Sequence, residues 1–329
     1  MNGLYDNLLM AYFGTKEFSE VVPPTPVSYD TPFYVEEIEG VNITVSFFKS
    51  DSGAPSVTIE KSLNGTNWTT IGTTSRTAIT ATVPANGKLY LRANTTGWGS
   101  GTSTWTNRIR CSGRHNFGGN IMSLLYGDNF TGLETTLPIN GQYDDRHFDS
   151  LFRGNQYLVS INDLIMPVTT MKKYSYHCLF QECPSLYIIP ETLLPAMTLD
   201  VECYGNMFAY CTAIVNLPDK LLPATTLVPS TSLQYIETAY ESMFDHCTSL
   251  KNTPELPATV LTPNAYRYMF NKCRSLNYVK CMATDISAYQ ALYYWLDGVS
   301  QTGTFVKKAG VNYPTGSSGI PSGWTVEEV

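Results

Sequence analysis

The sequence predicts an α+β protein: an N-terminal β-sandwich domain followed by a short repeat solenoid. Three observations carry this expectation. Alternating apolar residues with turn signals fill residues 38–127. A unit of about 28 residues recurs through the second half. Each unit joins a segment of helical apolar spacing to a brief strand pattern.

The expected organisation has three parts, at residues 1–37, 38–127 and 128–329. In the first, Leu4, Leu8, Leu9, Tyr12 and Phe13 fall near one face at helical spacing. The run Val21-Val-Pro-Pro-Thr-Pro-Val27 follows. Closely spaced prolines favour extended polyproline geometry, as in a semi-rigid linker. Two readings stay open: a helix packed on its own domain, and a docking peptide joined by a linker.

In the second part, Ile43, Val45 and Phe47 alternate with Thr44 and Ser46. Val57-Thr-Ile-Glu-Lys61 alternates too, and Asn64-Gly65 marks a turn. Residues 77–83 and 88–93 flank the turn signal Pro84-Ala-Asn-Gly87. Short strands at this spacing indicate a β-sandwich. Trp68 and Tyr90 read as core aromatics. Trp98 and Trp105 lie in a Gly/Ser/Thr-rich loop and are candidates for a ligand-facing surface.

The third part carries the strongest pattern. Tyr176-His-Cys-Leu-Phe180-Gln-Glu-Cys183-Pro-Ser-Leu186 aligns with Tyr204-Gly-Asn-Met-Phe208-Ala-Tyr-Cys211-Thr-Ala-Ile214. The unit recurs at Tyr240-Glu-Ser-Met-Phe244 with Cys247, and at Tyr266-Arg-Tyr-Met-Phe270 with Cys273. Weaker copies contain Leu151-Phe152-Arg-Gly-Asn155 and Tyr294-Trp-Leu296. Phe152, Phe180, Phe208, Phe244 and Phe270 are 28, 28, 36 and 26 residues apart, with an insertion near residues 228–238 in the long step. The Tyr-x-x-Met-Phe piece reads as a short helical turn. The Leu-x-x-Ile-Pro piece reads as a brief strand ended by its proline. One unit cannot bury its apolar side alone, so units must stack.

Composition narrows the function. The net charge is −7 and only 15% of residues are charged. No Lys/Arg cluster is dense enough to track phosphates, which argues against nucleic acid as a partner. No apolar run approaches the length that spans a bilayer, so membrane insertion is not expected. The first lysine, Lys16, follows the apolar N-terminal run, and no secretory signal is read.

No catalytic, cofactor-binding or metal residue is expected. Cys183, Cys211, Cys247 and Cys273 recur at the repeat period, whereas a zinc site needs close pairs. Each therefore lies in its own layer as a small buried hydrophobe. Asn155 fills the same slot, and Asn and Cys interchange at the ladder position of leucine-rich repeats. Cys178, Cys203 and Cys281 depart from the repeat, and a single local disulfide stays open for them. His177 precedes Cys178 and His246 precedes Cys247, but adjacency does not place an imidazole on a thiol. Asp144, Asp145 and Asp149 cluster without a feature that separates them from surface acids. What remains is a surface. Around the repeat strands, Tyr187, Asn216, Lys251, Asn252 and Tyr278 are the candidate ligand-facing residues, since Tyr and Asn combine apolar contact with hydrogen bonding.

The repeat unit, with the entry segment Gly119–Phe130 and the ending Ile320-Pro-Ser-Gly-Trp324, resembles the BspA-like leucine-rich repeat family of gut bacteria and their phages. The resemblance covers roughly residues 115–329. It implies a leucine-rich-repeat solenoid with adhesive or recognition roles and no cofactor. Together with the layout, it implies a structural virion protein, such as a head fibre or decoration protein of a crAss-like phage. Its N-terminus would attach to the capsid or another virion protein. Its repeats would meet a host-surface glycan or protein, in a homodimer or homotrimer at the virion surface. The alternative it implies is a bacterial cell-surface adhesin.

Overall fold

The computed structural model describes residues 28–99, 106–138, 145–227 and 238–329. The proposed docking residues Leu4, Leu8, Leu9, Tyr12 and Phe13 lie outside the described residues, and so does Trp105.

Eight strands fill the first part: β1 (Tyr34–Glu37), β2 (Ile43–Lys49), β3 (Thr58–Ser62), β4 (Thr69–Thr73), β5 (Ile79–Val83), β6 (Lys88–Ala93), β7 (Asn107–Cys111) and β8 (His115–Asn120). The alternation read from the sequence sets their faces. Ile43, Val45 and Phe47 of β2 are buried, as are Leu89, Leu91 and Ala93 of β6. Strands β5, β2 and β7 form a three-stranded sheet. A six-stranded sheet runs β4-β3-β6-β1-β8-β9, where β9 is Leu158–Ile165. Asn64-Gly65 turns β3 into β4: the Asn64 side chain accepts from the Thr66 and Asn67 amides, and Gly65 takes φ +77°. Residues 84–87 instead carry the chain from β5 in one sheet to β6 in the other.

The parallel pairing of β8 with β9 spans the boundary expected at residue 127. The buried apolar cluster is continuous across it, from Phe33 and Phe117 through Phe152 to Trp324.

The α+β expectation, with its leucine-rich-repeat helices, is overturned. Helical structure among the described residues amounts to α1 (Ser123–Tyr126) and an adjoining 3-10 turn at Gly127–Asn129. The chain is nearly all-β. Its second half contains a parallel four-stranded sheet of β10 (Asn252–Leu256), β11 (Tyr278–Cys281), β12 (Thr304–Lys307) and β13 (Thr325–Glu328).

The backbone bonds show why no helix forms at the Tyr-x-x-Met-Phe segments. In a helix each N–H donates to the carbonyl four residues earlier. Here alternate amides donate to the next layer: Tyr176 to Cys203, Cys178 to Gly205, Phe180 to Met207 and Glu182 to Ala209, at 2.8–3.0 Å. The intervening amides of Leu179 and Gln181 close turns on Tyr176 and Cys178. The scheme repeats from Tyr204 to Ala239 and from Tyr266 to Ala291. Each segment is a staircase of tight turns, stacked like a strand.

That staircase needs left-handed backbone at every fourth residue. Among the described residues, all the non-glycine residues of positive φ, Asn86 excepted, lie in these layers, in series such as Tyr174, Cys178 and Glu182, then Glu202, Asn206 and Tyr210. A turn whose third residue has φ > 0 normally takes Gly there. Each such L-residue costs about 1–2 kcal/mol. The bonds above and below each layer hold it in place. Gly154 and Gly298 fill the corresponding slot in the first and last layers.

Inside, side chains stack in columns. Phe33, Phe152, Phe180, Phe208, Phe244 and Phe270 form one ladder with centroids 5.2–5.6 Å apart. Phe148, Tyr176, Tyr204, Tyr240, Tyr266 and Trp295 form a second at 5.6–6.2 Å. Such pairs add roughly 0.5–1.5 kcal/mol each beyond burial. The expected Leu-x-x-Ile-Pro strands are uneven. The first unit makes one bridge, Ser160 to Ile188, while later units form β10 and β11. Pro254 lies inside β10, where the register shifts between Asn252 and Glu255, so its missing donor falls at an irregularity.

Two measurements test this account. At Asn206, left-handed with its amide bonded to Glu241, Val is expected to lower stability by about 2 kcal/mol and Gly by less than about 0.5. Equal losses in urea melts would contradict the backbone requirement. His115 is fully buried, and desolvation lowers its pKa from 6.5 to about 4. The unfolded chain therefore binds this proton first as pH falls. The stabilisation is whole above about pH 6.5 and is lost toward pH 4, by up to roughly 3 kcal/mol. His115→Gln is expected to flatten the fall in urea midpoint between pH 7 and pH 5; an unchanged slope counts against the assignment.

Candidate functional site

The strand side of the stack places the proposed surface residues in register. Paired across neighbouring strands are Asn252 with Tyr278, Tyr278 with Thr304, and Thr304 with Thr325. Ile188 and Asn216 occupy the same repeat position in earlier units. Ile188, Asn216, Tyr278 and Thr325 are exposed, while the next residue inward, at Ile189, Leu217 and Val279, is buried. Tyr187 and Lys251 belong to the neighbouring column. Tyr187 is 38% exposed and Tyr278 37%. An open groove lined by Glu39, Arg114, Gln156, Tyr157 and Ser185 lies where the first part meets the first repeats.

Two proposed residues are otherwise engaged. Trp98 is fully buried, and its indole N–H donates to the Leu124 carbonyl at 3.0 Å. It is a core residue and not a ligand-facing one, since its amide is bonded to the His147 carbonyl and its indole lies against α1. Asn252 braces two layers: its Oδ1 accepts from the Leu217 amide at 3.3 Å and its Nδ2 donates to the Leu217 carbonyl at 3.0 Å. Its amide replaces a backbone pair.

The recurring cysteines form a ladder of weak donors. The thiols of Cys183, Cys211, Cys247 and Cys273 donate to the carbonyls of Phe152, Phe180, Phe208 and Phe244, at 3.0–3.4 Å. Asn155 does the same to the Ile109 carbonyl at 2.8 Å, and donates also to Phe152 within its own layer at 2.7 Å. Burial pushes the thiols of Cys211, Cys247 and Cys273 up, so they stay neutral. All eight cysteines are free.

On the turn side lies a cluster that sequence reading dismissed. His177 Nε2 is 3.5 Å from Cys178 Sγ, and Nδ1 is 3.2 Å from Asp149 Oδ1. The Glu202 carboxylate is 3.7 Å from Nε2. Asp149 is buried, paired with Arg146, and accepts from Ser150 Oγ at 2.8 Å. Arg146 in turn lies over the Tyr174 ring at 4.1 Å. Burial disfavours charge on His177, but the Cys178 sulfur and the Asp149 carboxylate outweigh it, and the imidazole is held well above its ordinary pKa. Gly205 makes room: a Cβ there would overlap the Glu202 carboxylate and meet the His177 ring. The available signal was the repeat itself. Asp149 and His177 are 28 residues apart, the same step as Phe152 to Phe180, so they share a column.

No family model matches this chain, and no curated protein or solved structure matches it significantly. No helix among the described residues is long and apolar enough to cross a membrane.

Proposed function

We propose that this chain is a non-enzymatic structural protein that displays its repeat stack to a host-surface glycan or protein, as a fibre or decoration protein on a phage particle. The observation that carries the binding role is the column of exposed Ile188, Asn216, Tyr278 and Thr325 along one face. A tyrosine offers an apolar ring and a hydroxyl, and an asparagine offers both donor and acceptor, which suits sugars and protein loops alike. Stacking extends such a face without changing its geometry, so weak contacts repeat along a bound chain.

The virion assignment is supported by the sequence likeness to repeat proteins of gut bacteria and their phages. It is supported also by the layout of an apolar N-terminal segment, a proline-rich linker and a rigid body. In this reading residues 1–27, ahead of the buried strand β1, attach to a capsid or other virion protein, and the chain acts as a homodimer or homotrimer at the particle surface.

The double variant Asn216→Ala/Tyr278→Ala is expected to weaken binding to host cells by on the order of 10-fold, with stability within about 0.5 kcal/mol of wild type. Unchanged binding by an equally stable variant rejects this face. Deleting residues 1–27 is expected to abolish incorporation into particles while leaving the melting midpoint unchanged. Normal incorporation, or recovery of the intact chain from cell envelopes instead of particles, contradicts the virion role.

A further inference from the structure

The geometry points to a Zn²⁺-class metal site on the turn side of the first repeat layers, with the Cys178 thiolate, His177 Nε2 and the Glu202 carboxylate as ligands and Asp149 orienting the imidazole. Donor types come first. A thiolate, an imidazole and carboxylates form the mixed set that borderline divalent transition ions select, whereas Mg²⁺ and Ca²⁺ prefer oxygen alone. The His, Cys and Asp donor atoms all lie within 4.8 Å of one another.

Spacing comes second. With zinc bonds of about 2.0–2.3 Å, two donors on one tetrahedral ion sit about 3.3–3.7 Å apart. Cys178 Sγ is 3.5 Å from His177 Nε2, and Glu202 Oε2 is 3.7 Å from the same nitrogen. Each of these two spacings matches that of a pair of donors on one such ion.

The surroundings come third. Metal-bound histidines donate their other ring N–H to a carboxylate, which fixes tautomer and orientation. Asp149 Oδ1 stands 3.2 Å from Nδ1, and Asp149 is itself fixed by Arg146 and Ser150. Engaged by an arginine, Asp149 suits the orienting role better than direct ligation. Gly205 keeps open the space that the Glu202 carboxylate enters. The other repeats lack the set: the Cys178 position is Asn206, Ser242, Tyr268 and Tyr294 in later units, and the His177 position is Gly205, Glu241, Arg267 and Tyr293. The site belongs to one level of the stack and would tie the layers of Asp149, His177 and Glu202 together.

On binding, the protons on Cys178 Sγ and His177 Nε2 go to solvent, and the freed sulfur and nitrogen lone pairs form the metal–sulfur and metal–nitrogen bonds; no oxidant or reductant takes part. Solvent completes the coordination from the side on which His177 is partly exposed.

Co²⁺ titration of the full-length protein, stripped of metal and kept reduced, tests the site. One equivalent is expected to give a thiolate-to-cobalt charge-transfer band in the near ultraviolet, displaced by Zn²⁺. Cys178→Ser is expected to abolish the band. Cys203→Ser, at a fully buried thiol outside the ligand set, is expected to leave it unchanged. Asp149→Asn is expected to weaken Co²⁺ binding about 10–100-fold. Zn²⁺ is expected to raise the wild-type melting midpoint with increasing concentration. Absence of the band in the wild type, which involves no variant that could misfold, overturns the proposal and leaves a thiol–imidazole–carboxylate triad. A band retained in Cys178→Ser overturns it as well.

Discussion

The spacing between layers governs this molecule. Strands in a sheet lie about 4.8 Å apart, and the parallel strands β10 to β13 impose that rise on one side of the stack. The aromatic ladder on the other side has nearly the same rise, 5.5 Å between Phe208 and Phe244 and again between Phe244 and Phe270. An α-helix is about 10 Å across with its side chains. One helix per layer cannot fit at this rise. The turn segments therefore hydrogen-bond across layers, as strands do. The same constraint accounts for the left-handed residues, since a staircase of turns changes direction too sharply for right-handed backbone alone.

Most of what is buried was legible in the sequence, and what failed was the destination of the backbone bonds. Tyr176, Leu179, Phe180 and Cys183 are all buried, in the spacing i, i+3, i+4, i+7. That is the helical template. A turn staircase with left-handed steps at every fourth residue turns the same positions inward. Periodicity reports which side chains are covered, not where the amides point. Among the described residues the usual marker of such turns, glycine, stands in this slot only at Gly154 and Gly298; between them Glu182, Tyr210, His246 and Lys272 hide the signal. In the first part β2, β3, β5 and β6 matched the alternation, because each has one covered face. The pairing of β8 with β9 was invisible, since it joins strands nearly forty residues apart in the sequence.

The sites divide along the same line. The exposed column at Asn216 and Tyr278 was legible, because a repeat alignment identifies outward positions directly. Trp98 was not: in a glycine-rich stretch nothing marks whether an indole turns inward, and here its N–H finds the Leu124 carbonyl. The Asp149–His177–Cys178 group was missed for another reason. In a stack, a residue's neighbours are the members of its own column, one repeat away. Glu241 and Arg267 pair at 3.3 Å by this rule, and Tyr210 stacks on His246 at 4.6 Å. Chemistry on such a surface is arranged column by column, so a scan for nearby residues in sequence overlooks it.

Two open ends follow from any stack, and they are closed unequally. At the N-terminal end the first part serves as an additional layer. Phe33 continues the phenylalanine ladder at 5.2 Å, the Ile109 amide donates to Leu151, and the Cys111 amide donates to Asn155 Oδ1. That slot needs an asparagine, because its amide must accept from Cys111 while donating to Ile109 and Phe152, and a thiol offers no comparable acceptor. At the C-terminal end Trp295 and Trp324 cover the core, their indoles bonded to Gly319 and Ser300. The last strand, β13, is short, exposed along its length and ends in Glu327 and Glu328. Charge on a short edge discourages a further strand from pairing there. The stack thus runs from a firm base to a short charged edge.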